Sequence, residues 1–208
     1  ASLNFSLQVV NNLGISSKIL LPSDDRIQTR IRTKSGWISF QEYFVRMRCE
    51  PEVLEVEYNG AIQALATPES LNAIKKAELI VIAPSNPVLS IQPILAVKAI
   101  TEALNKSRKP IVAVSPLISG KVIKGPADKI MKSLNMNANV VGIADFYKDI
   151  CDFLLIDSKD ASYCNEIEAL GVVPNCADIF MVGRTHKVAL AQHIIDIGVH
   201  LTKERFSN

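Results

Sequence analysis

Short apolar runs alternate with amphipathic segments over most of this chain. The runs Leu79 to Ala83, Pro110 to Val114 and Phe153 to Ile156 are apolar throughout, which is typical of strands buried on both faces of a parallel sheet. Helical spacing follows the first two runs, over about Ser90 to Asn105 and Ala127 to Leu134. A strand, a helix and a second strand in this order predict a βαβ unit with a right-handed crossover.

The first third of the chain has a different pattern, which predicts an antiparallel appendage. Arg26 to Arg32 and Trp37 to Phe40 flank Lys34-Ser35-Gly36, a turn signal between two runs suited to a hairpin. We therefore predict one α/β domain over residues 1–208, with a hairpin and helix subregion appended at residues 22–66. The predicted fold class is a three-layer α/β/α, Rossmann-like, mostly parallel sheet with a small antiparallel hairpin appendage.

Elsewhere the pattern predicts shorter elements and one long helix. These are a helix over Leu3 to Leu13, strands at Lys18 to Leu21, Val140 to Val141 and Val172 to Val173, an extended segment at Ile179 to Val182, and a helix over Thr185 to Leu201. The last helix carries the three histidines on one stripe. Because no acidic or cysteine partner completes a metal set there, we interpret this stripe as helix surface.

Polar residues cluster where the first two strands end. Ser85, Asn86 and Ser90 follow the first strand, and a second group follows the next strand: Ser115, Gly120, Lys121, Lys124 and Gly125. Ligand crevices of open α/β sheets lie outside the carboxyl ends of the strands, so we expect both loops to face one crevice. Hydroxyls, an amide and free backbone N–H groups at the helix start near Ser90 predict phosphate or nucleotide recognition. The alternative is that Asn86-Pro87 is only a turn and Ser90 only a helix cap.

Composition gives no indication of a nucleic-acid or membrane partner. The 208 residues carry 23 basic and 21 acidic side chains, a net charge of +2, which shows no bias towards nucleic acid or membrane surfaces. No apolar run has the length of a membrane span, and no secretory signal pattern opens the chain, so a cytoplasmic location is expected. The four cysteines have no CxxC spacing, which favours incidental thiols over a zinc site or a disulfide framework.

Two acidic segments offer oxygen ligands for magnesium, namely Ser23-Asp24-Asp25 and Asp157-Ser158-Lys159-Asp160. Short Asp-rich connections are also ordinary turns, and this is the favoured interpretation. Neither strand-end loop matches a Walker motif or a GxGxxG fingerprint. Since no Ser-His-Asp or Cys-His arrangement is indicated, we expect a nucleophile that belongs to the substrate. No catalytic residue and no protein metal ligand is assigned.

Several longer motifs together resemble one known family. They are PSDD at 22–25, NGAIQALATPESLNAI at 59–74, APSNPVLSIQPIL at 83–95, VSPLISGKVIKGPADKIM at 114–131 and ADFYKDICDFLLID at 144–157. With these motifs the chain resembles the 2-phospho-L-lactate transferase family over nearly its whole length. The resemblance implies archaeal-type biosynthesis of the deazaflavin coenzyme F-420.

The resemblance also implies a reaction and its ligands. Members transfer a 2-phospho-L-lactyl or phosphoenolpyruvyl group from a guanosine diphosphate conjugate to the deazaflavin Fo, and release GMP with help from magnesium. Carried onto the two loops, it implies these guanine-nucleotide contacts: Ser85, Asn86, Ser90, Ser115, Pro116, Gly125 and Pro126. Which of the two groups is transferred stays open, and a homodimer is expected from apolar residues near Trp37 and Phe40.

Family members also carry a glycine-rich GGTG phosphate loop and an Asp-bearing segment that contacts Fo, and neither has a match in this sequence. We therefore expect the chain to be the C-terminal two-thirds of a longer transferase, with part of the active site outside it. Two alternatives stay open at this point. One is a nucleotide-sugar-binding regulatory protein of the same fold, which would bind a uridine nucleotide, and the other is a non-catalytic interaction module.

Overall fold

The computed structural model describes residues 8–12, 14, 16–122 and 125–206. Residues 8–12 are helical, as predicted, whereas the rest of the helix predicted over Leu3 to Leu13 lies outside the described residues. Lys124, which the sequence places in the second loop, lies outside them as well. The strand predicted at Lys18 to Leu21 is wrong, because this segment has no strand pairing.

The appendage is a three-stranded antiparallel sheet with the order β2-β1-β3. Its strands are β1 Gln28–Thr33, β2 Gly36–Ser39 and β3 Glu55–Asn59. The predicted hairpin is confirmed, and β3 adds a strand to it. A first π-helix, Glu42–Arg46, follows β2. Its start is fixed by the Ser39 hydroxyl, which accepts the Glu42 N–H at 3.1 Å.

A four-stranded parallel sheet with the order β4-β5-β8-β9 forms the centre of the molecule. Its strands are β4 Ile80–Ile82, β5 Ile111–Val114, β8 Phe153–Asp157 and β9 Val173–Ala177. Between β5 and β8 the chain makes a small hairpin from β6 Leu117–Ile118 and β7 Lys121–Val122. The predicted mostly parallel sheet is therefore confirmed.

Helices alternate with these strands along the chain. They are α1 Pro68–Lys76, a second π-helix Pro87–Ile91, α2 Gln92–Leu95, α3 Lys98–Asn105, α4 Ala127–Ser133, α5 Val140–Tyr147, a 3-10 helix Ser158–Tyr163, α6 Cys164–Glu168 and α7 Arg184–Phe206. Two predictions are wrong here. Val140 begins α5 and is not in a strand, because the Asn139 side chain accepts the Gly142 N–H and starts a helix. The helix predicted from Ser90 to Asn105 is broken at Val97, whose backbone is extended.

Helices cover both faces of the parallel sheet, as the three-layer prediction requires. On β5, Ile111 and Ala113 face a cluster that includes residues of α3, α5 and α6, whereas Val112 and Val114 face Leu190 and the rest of the α7 cluster. This alternation follows from the period of two in a strand. Burial of apolar side chains on both faces stabilises the layers by about 25 cal/mol for each Å² removed from water.

Hydrogen bonds at residues 21–25 and 65–67 close the base of the appendage. Ser23 and Ala66 form an isolated β-bridge, and the Ser23 hydroxyl donates to Leu65 O at 2.7 Å. The Thr67 hydroxyl donates to Leu21 O at 2.7 Å. The appendage has its own apolar cluster, to which the main domain contributes Val88, Leu89 and Ile130. It therefore packs directly on the segments that follow β4 and β7.

Among the helices that the structure describes, none alone is long and apolar enough to cross a membrane. One pair of segments, Pro87–Leu95 and Lys98–Asn105, meets the length and composition requirement when taken together, and it is bent by 86°.

Candidate functional site

A cavity of about 540 Å³ lies at the carboxyl ends of β4 and β5. All seven residues predicted as nucleotide contacts line it: Ser85, Asn86, Ser90, Ser115, Pro116, Gly125 and Pro126. The prediction that both loops face one crevice is therefore confirmed. The volume is in the range of small-molecule sites, about 300–1,000 Å³. Contact of these residues with a nucleotide stays a prediction.

Asn86 is the polar centre of this cavity. Its side-chain Oδ1 accepts the N–H groups of Val88 and Leu89, both at 3.0 Å, and so caps the second π-helix. These two bonds fix the orientation of the amide, so Nδ2 is the donor end. Nδ2 is buried and has no hydrogen-bond partner among the described residues. A buried donor without a partner costs about 1–3 kcal/mol, which a ligand oxygen would offset.

The predicted helix start near Ser90 is wrong. The helical segment begins at Pro87 with Asn86 as its N-cap, and Ser90 lies inside it. At the helix start that the structure shows, the N–H groups of Val88 and Leu89 donate to the Asn86 side chain and are not free for an anion. The alternative, a turn at Asn86-Pro87 with Ser90 as the helix cap, is also wrong, because Asn86 itself is the cap. The hydroxyls of Ser85 and Ser90 make no hydrogen bond within the described part of the chain.

Ser115 shapes the second loop. Its side chain is buried, its hydroxyl donates to Leu117 O at 3.0 Å, and the same oxygen accepts the Leu117 N–H at 3.0 Å. Farther along, the N–H of Ser119 donates to the buried carboxylate of Asp160 at 2.8 Å. This bond holds the β6–β7 turn against the segment after β8. The hydroxyl of Ser115 is therefore committed to its own loop.

Ten of the seventeen lining residues were not predicted from the sequence as site residues. They include Phe40 and Phe44 from the appendage, and Phe180 and Met181 from the segment after β9. Phe44, Phe180 and Met181 are exposed. No charged side chain of the described residues lines the cavity. Its described lining offers hydrogen-bond donors, backbone and apolar surface, which are the groups that suit binding and positioning of a ligand.

Charged groups lie in a second cavity of about 450 Å³ next to the first. Lys121, Lys159, Asp157 and Asp178 line it, and it shares Ile118, Val122 and Phe180 with the first cavity. The two cavities form one continuous depression along the carboxyl edge of the sheet. A depression in two parts has room for two reactants side by side.

The comparison with known families agrees with this arrangement. A family model described as 2-phospho-L-lactate transferase CofD matches residues 6–193. The chain belongs to this family. The resemblance seen in the strand-end motifs is therefore confirmed.

Named CofD relatives carry two related activities. A 2-phospho-L-lactate transferase from Methanocaldococcus jannaschii is 37% identical over 88% of this chain and 59% of its own length. The enzyme of that name from Methanosarcina mazei is 36% identical, covering 94% and 64%. A phosphoenolpyruvate transferase from Streptomyces griseus is 35% identical, covering 86% and 58%. The chain thus spans about three-fifths of the length of these relatives.

Solved structures show the same fold outside the CofD enzymes. Two crystal structures of one Bacillus halodurans protein, a member of the UPF0052 family, match 91% of this chain with TM-scores of 0.58 and 0.60. They cover 64% and 65% of that protein at 20% sequence identity. At this identity the match shows the fold alone.

The acidic segments of this CofD family member have structural roles. The carboxylate of Asp25 accepts the Leu65 N–H at 2.8 Å, and that of Asp157 accepts the Lys159 N–H at 3.1 Å. Among the described residues no group of three or more His, Cys, Asp or Glu is placed to hold a metal ion. These two carboxylates therefore bind backbone N–H groups, and magnesium binding stays a prediction.

Two thiols form a hydrogen bond but no disulfide. The Sγ atoms of Cys164 and Cys176 are 3.6 Å apart, and both cysteines are free. Burial raises the pKa of the Cys176 thiol to about 11, and the Cys164 thiol and the carboxylates of Asp157 and Asp160 act in the same direction. Cys176 is therefore protonated at neutral pH.

Alkylation of Cys176 is expected to need alkaline pH. Because the thiolate is the nucleophile, labelling by iodoacetamide should be slow near neutral pH and should rise as the pH approaches about 11. Peptide mass spectrometry after timed labelling measures the rate at this residue, with glutathione in the same tube as the reference thiol. A half-maximal rate near pH 8.5, the ordinary value for cysteine, would contradict the raised pKa.

Proposed function

We propose that this chain holds the nucleotide of a phosphoryl-transfer enzyme of the CofD family. In this proposal the enzyme transfers a 2-phospho-L-lactyl or phosphoenolpyruvyl group from a guanosine diphosphate conjugate to the deazaflavin Fo. GMP is released, and the product enters the biosynthesis of coenzyme F-420. Family membership and the names of the relatives support the reaction class. The observation that carries the nucleotide assignment is the buried Asn86 Nδ2, which lacks an acceptor.

Each loop has a distinct part in this proposal. Asn86 Nδ2 donates to an oxygen of the nucleotide, and the unbonded hydroxyls of Ser85 and Ser90 lie beside it. Ser115 and Pro116 hold the second loop in shape. Gly125 has a φ of +86°, which favours glycine. It brings the backbone of Gly125 and Pro126 to the cavity wall, where the loop can approach a phosphate without a side chain between them.

The reaction needs positioning more than covalent chemistry. An oxygen of the acceptor hydroxyl bonds to phosphorus, the bond from phosphorus to the GMP oxygen breaks, and the hydroxyl proton leaves to a base. The described lining of the cavity around Asn86 has no charged side chain, and no base is assigned here, so the part of this cavity is to align donor and acceptor and to exclude water. Effective molarities of about 10⁵–10⁸ M are available from alignment alone. Phosphoryl transfer relies on positioning and charge stabilisation in this way.

Magnesium, the cytoplasmic location and the homodimer stay predictions. Magnesium bound through the diphosphate of a donor needs only one or two protein carboxylates, and the described residues supply no complete site for it. No step is therefore assigned to the ion.

Calorimetry of the full-length protein against GDP and UDP, each with and without magnesium, tests the proposal. We expect GDP to bind more tightly than UDP. Preference for UDP would favour the nucleotide-sugar-binding alternative. Binding of neither GDP nor UDP would favour an interaction module. Loss of GDP binding on removal of magnesium would support the metal prediction, whereas unchanged affinity would contradict it. Turnover of Fo with the GDP conjugate then tests the reaction itself.

A further inference from the structure

Two phenylalanine rings form one wall of the nucleotide cavity. Phe40 follows β2, and Phe44 lies in the first π-helix. Their ring centroids are 5.5 Å apart and the ring planes are tilted by 32°. Phe44 is 47% exposed, and both rings line the cavity that contains Asn86. A large apolar surface that faces a cavity is typical of a binding site.

The Phe44 ring is not part of the apolar cluster of the appendage. The residue before it, Tyr43, is fully buried and anchors the first π-helix through its hydroxyl, which donates to Cys49 O at 3.4 Å and to Pro51 O at 3.3 Å. Val45, the residue after Phe44, is 67% exposed and is not part of the cavity lining. Phe44 thus differs from its exposed neighbour in facing the cavity.

Direct hydrogen bonds fix the position of the appendage, and with it the aromatic wall, relative to both polar loops. The Tyr58 hydroxyl on β3 donates to Val88 O at 2.6 Å, in the π-helix that Asn86 caps. The ammonium of Lys129 on α4 donates to Cys49 O at 2.7 Å and also to Glu50 O. The appendage is therefore bonded to the segment after β4 and to the segment after Gly125-Pro126. Such fixed spacing suits a ligand that contacts the wall and the loops at once.

We propose that Phe40 and Phe44 form a stacking surface for the planar heteroaromatic ring of a bound substrate. The polar groups around Asn86 then hold the oxygens of the same ligand. Aromatic faces prefer offset or tilted stacking at centroid distances of about 4.5–7 Å. The described lining of the cavity around Asn86 has no charged side chain, whereas on its other side Phe44 borders a cavity with Arg48 and Lys129. The inference rests on the proposed function. Two ring-bearing ligands share the required chemistry, a guanine nucleotide and a deazaflavin, and the experiment separates them.

The leucine variants Phe40→Leu and Phe44→Leu test the proposal, because they keep apolar bulk and remove the ring face. Calorimetry of each full-length variant is run with GDP, with a deazaflavin and with inorganic pyrophosphate. We expect about three- to tenfold weaker binding of one ring-bearing ligand, the usual size of a stacking contribution, and unchanged binding of pyrophosphate. Equal weakening of pyrophosphate, or no weakening of either ring-bearing ligand, would overturn the proposal.

A fluorescence measurement separates stacking from a structural effect. In Phe44→Trp the new indole should be quenched by the ring-bearing ligand, whereas in the matched control Val45→Trp it should not. Quenching in both variants or in neither would overturn the stacking surface. If the wild type binds neither GDP nor a deazaflavin, the proposed function fails together with this inference. If it binds one of them and the leucine variants bind equally well, only the inference fails.

Discussion

Asn86→Asp is expected to weaken nucleotide binding by more than 100-fold while the fold stays intact. A carboxylate at this position still accepts the N–H groups of Val88 and Leu89, and Asp caps helices as well as Asn does. The substitution replaces the Nδ2 donor by a negative charge. Loss of a hydrogen bond to a charged group costs about 1.5–3 kcal/mol, and repulsion of an anionic diphosphate adds to this. Calorimetry with GDP measures the change.

The control for this substitution is Asn139→Asp. Asn139 also caps a helix with its side-chain oxygen, which accepts the Gly142 N–H at 3.0 Å, and it is not part of the cavity lining. Asn139→Asp should unfold within about 1 kcal/mol of the wild type, whereas Asn86→Asp should lose more stability, because its second carboxylate oxygen takes the buried place of Nδ2. Asn139→Asp should bind GDP normally. A GDP affinity of Asn86→Asp equal to that of the wild type would show that Nδ2 does not contact the nucleotide.

Asn86→Ala completes the series, because it removes both the donor and the cap. We expect the same loss of an Nδ2 contact without the added repulsion, so its GDP affinity should lie between those of the wild type and Asn86→Asp. Its stability should fall by about 1 kcal/mol, the usual cost of removing an N-cap side chain. The comparison separates the binding role of Asn86 from its structural role.

The sequence predicts the parallel strands and their loops because these features are local. Apolar runs of four or five residues locate β4, β5 and β8, and polar residues directly after them locate the cavity edge. The same reasoning does not reveal the position of a strand in the sheet. Val81 was expected to be buried on both faces of a strand, but it is 44% exposed, since β4 pairs only with β5 among the described strands.

Two features of the site depend on tertiary packing. Phe40 and Phe44 are more than 40 positions away from Asn86 in the chain, and only the packing of the appendage on the second π-helix brings them to the cavity. The Nδ2 donor is recognisable only when the partners of Oδ1 are known. The sequence does contain one usable signal, since Asn followed by Pro marks an N-cap with Pro at the first helical position. That signal predicts a helix start at Pro87, where the structure has it, and not near Ser90.

Gly142→Ala is expected to destabilise the fold strongly. A Cβ at this buried position would lie 1.8 Å from the backbone oxygen of Asn137 and 2.7 Å from its carbonyl carbon, so the backbone itself must move. Alanine has a better helix propensity than glycine by about 1 kcal/mol, but steric overlap in a packed interior costs more. We expect a net loss of about 3 kcal/mol, which corresponds to a decrease in Tm of roughly 6–12 °C. Thermal unfolding followed by circular dichroism measures it.

Gly183→Ala is the matched substitution, because a Cβ at Gly183 has no atom within 4 Å. It should change stability by less than about 1 kcal/mol, since only a capping preference at the start of α7 is affected. If both variants have the same free energy of unfolding, the loop at Asn137 moves to make room for the new methyl group without loss of stability. A large loss in Gly142→Ala alone would show that close backbone contact, and not the flexibility of glycine, is what this position requires. The tight approach of α5 to the preceding loop would then be confirmed as a fixed part of the layer that covers β5 and β8.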